Sequence, residues 1–160
     1  MKLVTINEKF AKDTWEARNK CPWRFMRSDA PLPATLQSEE EYYRLMSSSN
    51  DCMMYAIVED GIMVGAVKLR ENSELSYYML RPEYEHRGLM KRAIKEVLDI
   101  AFLDPILDGR FNFVYAWVNP CNAASYCMLV KLGFKVVGVS LINPNVHRLE
   151  LARSSWKKRK

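Results

Sequence analysis

The dipeptide Asp60-Gly61 sits between two apolar runs, "CMMYAIVED" and "IMVGAVKLR", and constrains this chain more than any other short feature. Two consecutive residues that tolerate positive φ favour the tight turn that folds one strand back along another, so these runs are expected to form an antiparallel hairpin. A turn at Glu71 to Ser73 then leads into "ELSYYMLR", Glu74 to Arg81, which supplies a third strand. The middle of the chain therefore reads as an antiparallel meander.

On either side the apolar period changes to that of helices. Ahead of the meander, "LVTI" reads as a short strand and "EKFAKDTWEARNK" as a helix with Phe10, Thr14, Trp15 and Arg18 on one face. After the Pro-rich segment Ser28 to Ser38, the pair Ser38 and Glu41 has capping-box spacing and predicts a second helix through Tyr42, Tyr43 and Met46. Behind the meander, Leu89, Ala93, Val97, Ile100 and Ala101 recur at helical spacing. "FNFVYAWV" is rich in aromatic and β-branched residues and predicts a strand. "NAASYCMLVKLG" predicts a helix ending at Gly133, and "FKVVGVSL" with "VHRLELA" predicts a closing strand pair. A helix between the third meander strand and the next strand permits a parallel or splayed pair there. The fold class expected is α/β (α+β), a mixed, mostly antiparallel sheet of six to seven strands with about four helices on both faces.

A length of 160 residues suits one domain, assigned here to residues 1–152 with a basic tail at 153–160. Lys157 to Lys160 are all basic and leave only +1 of the +5 net charge to the rest, so the tail is either a frayed, solvated end or an arm for an acidic partner such as nucleic acid. No apolar run approaches the roughly 20 residues needed to span a bilayer, and "MKLVTINEKF" lacks a secretory apolar core; no membrane association and a cytoplasmic location are expected. Cys21, Cys52, Cys121 and Cys127 show no C-x-x-C spacing and only two histidines accompany them. Free buried thiols, and no metal, are the expectation.

"RPEYEHRGLMKRAIKEVLDIAF", Arg81 to Phe102, carries the strongest chemical signal. One glycine, Gly88, stands at the mouth of an amphipathic helix whose first turns bear Arg87, Lys91 and Arg92, although the positive end of a helix dipole usually attracts acidic side chains. Free amides in such a loop form a site for phosphate oxygens, so cations placed there point to a polyanion. A plain turn glycine before solvated lysines and arginines is the alternative.

The segment "YYMLRPEYEHRGLMKRAIKEVLDIAF" resembles the acetyl-CoA-binding motif of the GNAT superfamily of N-acetyltransferases, Q/R-x-x-G-x-G/A. "VNPCNAASYCMLVKLGFKVVG" resembles the later family segment N-x-x-S/A followed by K-L-G-F, in the form seen in the RimJ/RimL-like and amino-sugar N-acetyltransferase branches. The resemblance runs from about Leu3 to Ala152 and implies a GNAT-like fold splayed between the fourth and fifth strands. On the loop, Gly88 matches the central glycine, whereas Glu85 stands at the Gln/Arg position and Met90 at the final Gly/Ala. An acidic Glu85 is repulsive to pyrophosphate unless it points away.

By that resemblance the cosubstrate is acetyl-CoA, with no metal. It would be held by the loop residues His86, Arg87, Gly88, Leu89, Met90 and Lys91, by backbone of Tyr78, Met79 and Leu80, and by Asn122. One backbone N–H of the 78–80 strand would stabilise the oxyanion formed when an amine attacks directly. Glu74 is the candidate base, or else an exposed edge glutamate, since an ammonium must lose a proton before it attacks. Ser125, or alternatively Tyr126, would protonate the thiolate; Asn122 and Ser125 equally suit a helix start. Arg18, Asn19, Trp23 and Tyr77 are candidate acceptor contacts. The partner expected is a small-molecule or peptide amine acting on a monomer or homodimer, and nucleic acid is the less favoured alternative. A degenerate, non-catalytic binding module is the other alternative.

Overall fold

The computed structural model describes residues 1–20 and 35–157, so Trp23 and much of the Pro-rich segment lie outside the described residues. Its helices are α1 (Ala11–Lys20), α2 (Leu36–Ser48), α3 (Leu89–Leu103), α4 (Ala123–Leu132) and α5 (Arg153–Lys157). Its strands are β1 (Lys2–Thr5), β2 (Cys52–Glu59), β3 (Ile62–Arg70), β4 (Leu75–Met79), β5 (Phe113–Val118), β6 (Lys135–Val139) and β7 (His147–Ala152). They form two sheets, ordered β1-β2-β3-β4 and β5-β7-β6. The mixed α/β class and the strand count agree with the expectation.

The chain forms two compact units, the first from residues 1–68 and 77–90 and the second from 69–76 and 91–160. In the first, Asp60 and Gly61 have φ of 51° and 79°, the pair of left-handed residues that the β2–β3 turn demands. β1 pairs antiparallel with β2, with Leu3 opposite Ile57. The core gathers Ile6, Ala11, Ala17, Tyr43, Met54, Ala56, Met63, Ala66 and Leu80. β3 and β4 approach so closely at Gly65 that a Cβ there would stand 2.7 Å from the Tyr78 carbonyl oxygen; only glycine leaves that room.

One local expectation is corrected in this unit. α2 is capped one turn earlier than the Ser38/Glu41 spacing suggests: Thr35 is the N-cap and Ser38 the reciprocating residue. A Ser at the third helical position returns the bond that Glu usually supplies. The core aromatic of α2 is Tyr43, which is fully buried, while Tyr42 is half-buried beside Lys68.

In the second unit β7 lies between β5 and β6 and pairs antiparallel with both, with Leu149 opposite Ala116 and Val136. Along α3 the buried residues Ala93, Ile94, Val97, Leu98, Ala101 and Phe102 recur at three- and four-residue steps. Each large one contributes roughly 1.5–3 kcal/mol by leaving water. α4 ends at Gly133 with φ of 99°, the left-handed C-cap that releases the chain into β6. Arg153 to Lys157 are helical, and Trp156 is buried with its Nε1–H donating to Asp99 at 2.8 Å. Of the cysteines, Cys52, Cys121 and Cys127 are thiols outside any disulfide, as expected, but Cys121 and Cys127 are exposed rather than buried, and Cys21 lies outside the described residues. No helix among the described residues is long and apolar enough to cross a membrane.

Candidate active site

The loop from Pro82 to Gly88 begins as a single 3₁₀ turn, because Pro82 pre-sets φ and Glu85 N–H closes onto the Pro82 carbonyl at 3.0 Å. His86 and Gly88 both adopt left-handed backbone, with φ of 59° and 73°. A Cβ built on Gly88 would meet nothing within 4 Å, so the loop leaves an open cradle that a side chain would fill. His86, Arg87 and Gly88 are exposed, Leu89 is buried as the anchor, and Met90 is half-buried. The Arg87 guanidinium lies 4.7 Å from the centre of the Tyr84 ring, whose hydroxyl donates to Asp60 at 3.1 Å. That stacking pre-positions a positive charge beside the cradle. Lys91 and Arg92 are exposed in the first turn of α3, which contains no acidic residue. Glu85 is half-buried, with its amide turned back to Pro82. These residues fit a pyrophosphate: open amides, a glycine without a side chain, and cations where a helix end already favours anions.

Of the backbone positions 78–80, Leu80 N–H donates to the Val64 carbonyl at 2.8 Å and is taken up by the sheet. β4 is the last strand of its sheet. Alternation along an antiparallel pair therefore directs the Met79 N–H away from β3, towards the free edge.

Arg18 and Asn19 lie in the last turn of α1, and their surroundings differ. Asn19 is exposed, whereas the Arg18 guanidinium donates to Glu39 Oε2 at 3.0 Å, and the Glu39 side chain is fully buried. Burial pushes the Glu39 carboxyl above its ordinary value, and the Arg18 charge opposes that rise. Beside this pair, Thr14 and Tyr43 share a hydrogen bond of 2.5 Å, and Tyr43 and Tyr78 one of 3.2 Å. Burial raises both phenols, that of Tyr78 to about 12. The network is a chain of polar groups inside the first unit that the sequence did not reveal. Between Ser38 and Glu40, Glu39 reads as solvated, although it lies one turn before the buried Tyr43 on the same face of α2.

In the second unit Glu74 precedes β4 and forms a single parallel bridge with Tyr115 of β5, in which Tyr115 N–H donates to the Ser73 carbonyl at 3.0 Å. Glu74 is half-buried. Burial first, and then the Glu74 carboxylate, raise the Tyr115 phenol above its ordinary value, while Arg148 and Arg70 oppose them. Arg148 lies 3.9 Å from the centre of the Tyr115 ring and 3.3 Å from Glu150. Tyr115 and Arg148 were missed at the level of sequence because strand alternation predicts a face but not which face receives a charge.

Asn122 is the N-cap of α4, its Oδ1 accepting from Ser125 N–H at 3.4 Å. Its side-chain amide N–H groups are not used by that cap. Ser125 and Tyr126 are half-buried, and the Tyr126 hydroxyl lies 3.3 Å from His147 Nδ1. Tyr77 is half-buried in β4.

The chain matches the acetyltransferase (GNAT) domain over residues 6–135 and belongs to that family. It is an N-acetyltransferase that uses acetyl-CoA as donor. Among solved structures it is similar to the spermidine N-acetyltransferase SpeG from Vibrio cholerae in complex with CoA and spermine, at 14% identity over 98% of this chain and 97% of that one, with a TM-score of 0.76. It is similar to the ribosomal-protein-S5-alanine acetyltransferase from Vibrio fischeri, at 17% identity over 96% and 93%, with a TM-score of 0.76. The ribosomal L7/L12 α-N-protein acetyltransferase RimL, in complex with CoA, aligns at 13% identity over 96% and 94%, with a TM-score of 0.81. At such identities these likenesses establish a shared fold. No curated protein sequence matches the chain significantly.

Proposed function

We propose that this chain acetylates a primary amine borne by a small amine, an amino-sugar nucleotide or a protein N-terminus, by direct attack in a ternary complex. The observation that carries this reading is the Tyr84 to Met90 loop, where an open left-handed Gly88 and a stacked Arg87 stand at the start of α3. Acetyl-CoA, when bound, supplies an acetyl group activated as a thioester. His86 to Met90 and Lys91 hold its phosphates, and the Met79 amide receives the developing oxyanion. Glu74 takes the ammonium proton, Asn122 binds the pantetheine arm through its side-chain amide, and Ser125 or Tyr126 serves the leaving thiolate. Asn19 and Tyr77 contact the acceptor, as does Trp23. Arg18 contacts it too, held in place by its ion pair with Glu39.

The acetyltransferase domain comprises residues 1–152 and acts in the cytoplasm as a monomer or homodimer. The acceptors named for the structural neighbours, spermine and ribosomal proteins, make polyamines and N-terminal peptides the first compounds to try. Release of free CoA from acetyl-CoA is followed over a panel of polyamines, amino-sugar nucleotides, peptides and aminoacyl-tRNA. At least one free primary amine should raise release well above the hydrolysis background. Release by aminoacyl-tRNA alone would favour a nucleic-acid acceptor, and tight acetyl-CoA binding with no release for any amine would favour a non-catalytic module.

A further inference from the structure

His147 opens β7, where it lies opposite Val118 of β5 and Val139 of β6. Those apolar neighbours offer its ring no polar partner. What meets it is Tyr126 of α4, with Nδ1 and the hydroxyl 3.3 Å apart and the rings edge-on, their centres 5.8 Å apart at 68°. Both side chains are half-buried, and Arg148, the next residue, is turned instead onto Tyr115. Tyr126 stands one turn into α4, its N–H making the helix's first bond to the Asn122 carbonyl at 2.9 Å. The positive end of the helix dipole there favours a developing thiolate.

A phenol is a poor acid for a thiolate. With ordinary values of about 10 and about 8.5, the transfer is disfavoured by about thirty-fold unless the phenolate is stabilised as it forms. A phenol also has one proton, and if that proton is donated to an imidazole it is turned away from any substrate. An imidazole that instead donates removes both difficulties.

We propose that His147 is a positioning residue for acetyl transfer: its Nδ1–H donates to the Tyr126 hydroxyl oxygen and leaves the phenol proton for the departing thiolate. This rests on the first turn of α4 as the thiolate site, the reading given above. As the carbon–sulfur bond breaks, its electron pair stays on sulfur and the phenol proton moves to that sulfur to give the free thiol of CoA. The tyrosinate oxygen, held by Nδ1–H, then recovers a proton from water, while the acceptor's proton leaves through its own base.

Tyr126→Phe and His147→Ala should each lower kcat for CoA release by roughly 10–100-fold, the span expected of one proton donor. The KM for acetyl-CoA should stay within about twofold, and the double variant should be no worse than the poorer single one, as residues acting as a unit require. His147→Asn, whose amide nitrogen overlies Nδ1, should restore most of the rate. Acetyl donors with a more acidic thiol should shrink every deficit, which a merely structural role would not do. Nitrogen-15 NMR of the wild-type imidazole, a readout that needs no activity, should show a proton on Nδ1. An Nε2–H tautomer, or additive losses with a raised KM, overturns the proposal. A wild-type protein inactive towards every amine overturns the acetyltransferase reading instead, and leaves the tautomer result to stand on its own.

Discussion

Replacing Gly88 by Ala separates the cost of a strained backbone from the cost of a blocked ligand. Gly88 has φ of 73°, where a side chain is disfavoured by roughly 1–2 kcal/mol. Nothing lies within 4 Å of the added Cβ, so the free protein suffers no clash and backbone strain is the whole of its penalty. For a chain of 160 residues that strain lowers Tm by about 2–8 °C. Bound phosphate is a different matter, because the methyl occupies the space through which its oxygens reach the amides. Losing one charge-assisted hydrogen bond costs about 1.5–3 kcal/mol, or roughly ten- to a hundred-fold in Kd. Gly61 supplies the matched control, with φ of 79° and likewise nothing within 4 Å of its added Cβ. Calorimetric titration with acetyl-CoA and thermal unfolding should therefore give similar Tm losses for Gly61→Ala and Gly88→Ala, but weakened binding only for the second. Equal affinities in the two variants would refute the loop as the pyrophosphate cradle.

Glu39→Gln removes the buried carboxylate that faces the nearly buried Arg18 and should cost about 3 kcal/mol, some 6–12 °C in Tm. Because the folded-state value of Glu39 is raised, its contribution is complete below its ordinary 4.5 and is lost as pH rises through the higher folded value. The variant's stability should lack that decline, and an unchanged Tm at neutral pH would mean that Glu39 is not ionised there. Glu74→Gln should lower kcat by about a hundred-fold with acetyl-CoA affinity intact. It should also let the Tyr115 phenol titrate at lower pH in an ultraviolet titration, and an unmoved phenol would separate the two residues.

Turn and cap chemistry was legible because it acts over a few residues. Asp60-Gly61, Gly133 and Asn122 each do locally what their side chains allow, and the strand order around them follows. The Thr35 cap was displaced because Ser38 suits an N-cap as well as the third helical position, and spacing alone does not choose between them. The residues that sequence did not bring forward, Glu39, Tyr115, His147 and Arg148, each make a defining contact with a partner 21 or more residues away in the chain, respectively Arg18, Arg148, Tyr126 and Tyr115. Glu39 is buried on the Tyr43 face of α2, and Arg18 supplies its counter-charge there. Among the expected site residues, the open hydrogen-bonding edge at Met79 and the occupied amide at Leu80 differ only through sheet order, which no composition encodes.

The two compact units are drawn from alternating stretches of chain, and their boundaries fall at Lys68 to Leu69, Ser76 to Tyr77 and Met90 to Lys91. Those points lie inside β3, β4 and α3, not in loops. A gene fragment that encoded either unit alone would have to be spliced from separate pieces and would end in cut strands and a cut helix. Recombination or truncation therefore has no natural seam here, and a protease acting on the exposed turns would nick the chain without releasing half of it. The protein is inherited, and lost, as one piece.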